Sequence, residues 1–189
     1  MNRIILTISF LFLLPLKAQT ISCKCCTEKH SEFDFWIGSW TVTNPNGDLA
    51  GNNVISKIQD NCVLRESWTS AKGKYTGTSN NFYNSQTNQW EQIWIDNQGG
   101  SLHLKGNRIG NKMVMQTDES INKDGKPYIH RITWTNNEDG TVRQLWETIT
   151  NDSEVTIAFD GLYKKKKEIN PVKQKPFLIG LLFSMIFSF

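Results

Sequence analysis

The side chains of this 189-residue chain that could carry chemistry are few and scattered. Its histidines, His30, His103 and His130, stand far apart, and none falls at the spacing of a metal-ligating cluster. There is no Gly-x-Ser-x-Gly elbow, phosphate loop or His-Glu-x-x-His pair. The acids on candidate strands are Glu66, Glu91, Asp96, Glu147 and Asp160. They could supply the two carboxylates that a glycosidase sets about 5 to 9.5 Å apart. Nothing in the sequence selects a pair, so no catalytic residue is assigned and a non-enzymatic role is expected.

The cysteines, Cys23, Cys25, Cys26 and Cys62, admit three readings. As a zinc site the Cys23-x-Cys25-Cys26 cluster has the wrong spacing and no second cluster to close it, so no metal is expected. As a lipid attachment point Cys23 follows Ile21-Ser22 suitably, but Thr20 stands where such signals carry Leu. As disulfides, the even count suits an oxidising compartment. Cys62 then pins the N-terminal arm through Cys23, Cys25 or Cys26, and the sequence leaves the partner open.

His130 shares a strand face with Tyr128, Ile132 and Trp134, the setting that a haem-ligating imidazole would need. His103 alternates against Leu102 and Leu104 and so faces away from them. No cofactor is expected, and haem on His130 is the alternative. The seven tryptophans are the strongest compositional feature, because a buried indole brings a large apolar area and one N–H that wants a partner. Trp68, Trp94 and Trp146, near strand centres, are the best candidates to line a lumen. Tyr83, Arg65 and His130 are weaker ones, and Trp40 is assigned to structure.

These residues need elements to position them. From Phe33 to Tyr163 short β-branched and aromatic runs alternate with Gly, Asn, Asp and Pro clusters, as in a sandwich or barrel. The expected strands are Phe33 to Thr43, Asn52 to Gln59, Cys62 to Ser70, Tyr75 to Tyr83, Trp90 to Asp96, Ser101 to Gly106, Lys112 to Asp118, Tyr128 to Thr135, Thr141 to Thr150 and Val155 to Lys164. Asn44-Pro45-Asn46-Gly47, Asn97-Gln98-Gly99-Gly100, Lys123-Asp124-Gly125 and Glu138-Asp139-Gly140 have turn chemistry, which makes sequential strands antiparallel neighbours. No long window carries the apolar stripe of a crossover helix, which excludes the parallel α/β classes.

Ten such strands without covering helices leave two raw edges unless the sheet closes on itself. Trp90, Gln92, Trp94 and Asp96 share one face, and so do Val142, Gln144, Trp146 and Thr148. Aromatic and amide side chains on one face suit a lumen that holds a ligand better than a dry sandwich core. The fold class expected is an all-β, antiparallel up-and-down barrel of about ten strands.

The ends differ from the middle. Residues 1–19 have a basic start, an apolar stretch from Ile4 to Leu16 and a small residue at Ala18, the pattern of a secretory signal peptide. Residues 20–32 form a Cys-rich arm, 33–164 the barrel, and 165–189 a lysine-rich linker with a short hydrophobic tail. The tail, Phe177 to Phe189, is too short for a membrane-crossing helix, though it could associate with a membrane. Removing the leader leaves a net charge near +1, and the lysines of 164–175 carry so much of it that the barrel is near −4. No basic groove for nucleic acid is present.

Phe33-Asp34-Phe35-Trp36-Ile37-Gly38-Ser39-Trp40 resembles the FDFWxGxW opening of a lipocalin-like group of bacterial secreted proteins within the calycin superfamily. Gly77 to Tyr83, Trp90-x-Gln92-x-Trp94-x-Asp96, Trp146-Glu147 and Phe159-Asp160-Gly161-x-Tyr163 are similar to the later strands of that group, in order. The resemblance implies a calycin barrel in which Trp40 packs across the closed end and Gly38 bends tightly against it. It implies export and no reaction. Calycin barrels bind small apolar molecules, and nitrobindin, a ten-stranded relative, binds haem through a histidine. The expectation is therefore an exported barrel, periplasmic, envelope-bound or secreted, that binds a small apolar or amphipathic molecule. A structural or interaction module of the cell envelope is the second expectation, and a haem barrel the third.

Overall fold

The computed structural model describes residues 23–150 and 154–167. The leader and the hydrophobic tail lie outside the described residues. A short helix α1 (Glu28–Ser31) and a 3-10 turn (Asp34–Trp36) precede β1 (Gly38–Thr43), β2 (Leu49–Ile58), β3 (Val63–Ser70), β4 (Thr76–Asn84), β5 (Gln89–Asp96) and β6 (Ser101–Ile109). Then follow β7 (Lys112–Gln116), β8 (Ser120–Ile121), β9 (Pro127–Asn136), β10 (Val142–Thr150) and β11 (Glu154–Lys165).

Every neighbouring pair is antiparallel, and the strand order returns to its start. The first strand pairs with the last, Trp40 opposite Lys165 and Thr43 opposite Leu162, and β9 pairs with both β7 and β10. Ten strands therefore close a barrel, and β8 adds a two-residue rung beside the start of β9. Closure satisfies the backbone groups that an open sheet would leave at its edges. The expected all-β barrel is present, compatible with a calycin-like fold.

One expected strand is wrong at its start. Phe33 to Trp36 is not extended but coiled into the 3-10 turn. Phe33 and Phe35 read as strand alternation, yet Phe33 and Trp36 are the buried pair, stacked with ring centroids 5.0 Å apart. Residues three apart eclipse in a 3-10 turn, so both rings point the same way, into the end of the barrel. There they meet Trp134 and Tyr163, which makes the N-terminal arm a plug.

Trp40 is fully buried, and its indole N–H donates to the Trp36 carbonyl at 2.9 Å. Gly38, at φ 145°, turns the chain from plug to strand, and a Cβ there would lie 3.5 Å from the Trp40 ring nitrogen. The cysteines secure the same arm. Cys25 is bonded to Cys62, in the β2–β3 turn just before β3, and Cys23 to Cys26 within the arm. All four cysteines are thus paired, which closes the choice of partner for Cys62 that the sequence leaves open.

Candidate functional site

With one end plugged, the lumen opens at the other. Asn44, Leu49, Ser70, Lys72 and Tyr75, from the β1–β2 and β3–β4 connections and their flanks, belong to a cavity of about 330 Å³. That is within the range of small-molecule sites, about 300 to 1,000 Å³. The walls are aromatic and aliphatic: Trp68 from β3, Trp94 from β5, Leu102 from β6, Ile132 from β9, and Trp146 and Phe159 from β10 and β11. Trp68 and Phe159 meet edge to face at 6.0 Å.

Glycines make room for these rings. A Cβ on Gly77 would lie 2.1 Å from Trp94 Cζ2, and one on Gly51 would lie 2.7 Å from the Trp68 ring. Each indole therefore lies across a neighbouring strand rather than standing away from it. This sets the width of the lumen between β2 and β5.

The floor is polar. Glu66, Gln92, Gln144 and Tyr163 line the cavity from β3, β5, β10 and β11. Glu66 is only 4% exposed. Its Oε1 accepts from Asn53 Nδ2 at 2.6 Å and its Oε2 from Ser79 Oγ at 2.6 Å. Ser79 Oγ accepts in turn from Asn81 Nδ2 at 2.9 Å, and Asn81 Oδ1 accepts from Gln92 Nε2 at 2.7 Å. On the other side the Tyr163 hydroxyl accepts from Asn53 Nδ2 at 3.4 Å and donates to Gln144 Oε1. The network spans six strands, and in a water-poor interior its links reinforce one another.

Burial pushes the Glu66 carboxyl up to about 7, against the two hydrogen bonds that favour its charged form. Burial also raises the Tyr163 phenol well above its ordinary range, helped by the nearby Glu66 charge. The site thus holds one carboxyl poised near neutrality beside a phenol that stays protonated.

The sequence-selected residues divide clearly. Trp68, Trp94 and Trp146 are brought together around the cavity. His130 faces the same interior, but at the side of Trp146, whose indole N–H donates to its Nδ1 at 3.0 Å. Burial lowers its pKa and keeps it neutral. Arg65 does not belong to the site: it is exposed, because Leu64 and Glu66 take the inward positions on either side of it. Tyr83 does not belong either. It lies at the plugged end, edge to face with His30 at 5.5 Å and beside Trp90.

Sequence reasoning did not single out Glu66. The other strand acids are tied elsewhere: Glu91 to His103, Glu147 to Arg131 and Asp160 to Arg143, while Asp96 caps the turn at Gln98 and Gly100. The available signal was parity, since Glu66 is two residues from Trp68 and shares its face. Comparison with protein families and with characterised proteins finds no match for this chain. What fold and site define is a closed antiparallel β-barrel with an aromatic-walled, polar-floored cavity.

Proposed function

We propose that this is an exported, non-enzymatic barrel protein that binds a small amphipathic molecule in its lumen. The observation that carries the reading is the cavity itself, open at one end, walled by Trp68, Trp94 and Trp146 and floored by the Glu66 network. An apolar body is sheltered from water by the rings, and a polar end meets groups already fixed in place. Export is supported by the leader-like 1–19 segment and by two disulfides, bonds that persist in oxidising compartments.

A haem barrel draws less support. The Trp146 N–H can only donate, so neutral His130 accepts at Nδ1 and carries its proton on Nε2. Ligating iron through Nε2 would cost that arrangement. A structural or interaction module of the envelope would leave the cavity without a ligand.

Titration with N-phenyl-1-naphthylamine, a neutral dye that brightens in apolar surroundings, separates these readings. Saturable one-to-one binding with energy transfer from tryptophan supports the lumen site. No saturable signal, with the fold intact by circular dichroism, overturns it.

A further inference from the structure

The polar end of the ligand can be specified further, resting on the lumen being a ligand site. The barrel treats its carboxylates unequally. Glu91, Glu147, Asp160 and Asp34 each face a cationic or ionisable side chain at 3.1 Å or less. Glu66, the most deeply buried acid, forms no ion pair with any Lys, Arg or His of the described residues. Lys72, at the mouth, is exposed and does not reach it.

The surrounding cluster also leaves acceptor capacity unused. Each Glu66 oxygen accepts one hydrogen bond from the protein and keeps room for another. Asn53 Oδ1 is buried with no donor against it, and Gln144 Oε1 accepts from Tyr163. Above this floor stand three indoles, whose faces attract cations. The barrel region carries a net charge near −4, which favours the approach of positive molecules.

We infer that the lumen selects amphipathic organic amines, the ammonium group pairing with Glu66 and the apolar part lying among Trp68, Trp94 and Trp146. A buried carboxylate without a counter-ion is costly, and one with a charge-assisted donor is not. The ligand supplies the partner that the chain omits. An anionic amphiphile would meet an acceptor-rich floor and be rejected.

Binding must follow the carboxyl's charge. The titratable and charged groups around the cavity are Tyr163 from β11, Tyr75, Lys72 and Asp96 at the mouth, and His130 from β9 behind Trp146. Burial raises both tyrosines, and backbone N–H groups hold Asp96 below its ordinary value, so none of these three changes charge between pH 5 and 8, while burial lowers His130 and keeps it neutral above its ordinary 6.5. Amine affinity should therefore fall up to about tenfold for each pH unit below the Glu66 titration, and level off above it.

The test is calorimetry at pH 8 and pH 5.5 with 4-phenylbutylamine, 4-phenylbutanol and 4-phenylbutanoate. The expected result is amine binding at least tenfold tighter than alcohol at pH 8, with the preference shrinking at pH 5.5. The Glu66→Gln variant should bring the amine down to the affinity of the alcohol. Amine and alcohol binding equally at both pH values overturns the inference and leaves the lumen reading intact. Failure of all three to bind overturns both. The pH comparison uses the wild-type protein alone, so it decides the matter even if the variant does not fold.

Discussion

Gly77 lies directly beneath the indole of Trp94, so close that a Cβ would stand 2.1 Å from ring carbon Cζ2. The two are diagonal neighbours across β4 and β5, with Gly77 opposite Asp96 and Ser79 opposite Trp94. The position of the cavity wall is thus set by the absence of a side chain one strand away.

Gly77→Val should accordingly push Trp94 into the lumen. The expected outcome is at least a tenfold loss of N-phenyl-1-naphthylamine affinity, with a stability loss of about 1 to 3 kcal/mol from overpacking. Dye titration and urea unfolding of the same preparation check both. Unchanged dye affinity would show that Trp94 does not bound the site.

Arg65 and Trp68, three residues apart on β3, should behave oppositely. Arg65→Ala removes an exposed side chain on the outer face and should leave dye binding within about twofold. Trp68→Ala removes a wall and should weaken it at least tenfold. Equal effects would mean that the strand faces are assigned wrongly.

The ligand-free barrel should lose stability as pH rises. Glu66 titrates at about 7 in the fold against an ordinary 4.5. A raised acid pKa means that the folded state holds the proton longer. The contribution is full below pH 4.5 and is lost as pH climbs to 7, a change of about 3 kcal/mol. His130, whose pKa burial lowers, gives a slope of opposite sign below its ordinary 6.5, so the reading is the difference between wild type and Glu66→Gln. Urea midpoints between pH 4.5 and 7.5 should converge on a flatter profile in the variant. Parallel profiles would contradict a buried, proton-taking Glu66.

The two disulfides should contribute unequally. Cys25–Cys62 spans 37 residues and Cys23–Cys26 only 3. By loop-closure entropy the long one is worth about 4 kcal/mol and the short one about half of that or less. Thermal melts of the Cys25→Ala/Cys62→Ala and Cys23→Ala/Cys26→Ala double variants should rank accordingly. Equal melting points would mean that the arm is held by its Phe33 and Trp36 contacts alone.

Much of the barrel was legible in the sequence because period-two patterning and Gly-containing turns act locally. Trp90, Gln92 and Trp94 share an inward face as read, and so do Gln144 and Trp146. The plug was not legible, since Phe33-Asp34-Phe35-Trp36 satisfies strand alternation, and only the barrel end receiving Phe33 and Trp36 together favours the 3-10 turn. Tyr83 was misplaced along the barrel axis for a related reason. Parity gives the face of a residue but not its height, and height depends on register across the sheet. Glu66 was passed over because a lone acid on a strand looks alike inside and outside until neighbouring strands supply Asn53 and Ser79.

A crystal structure of the protein grown with N-phenyl-1-naphthylamine decides whether the lumen is a binding site. The dye is expected inside the barrel, its rings among Trp68, Trp94 and Trp146. A lumen filled by those same indoles, with dye absent or bound only on the outer face, would contradict the lumen site.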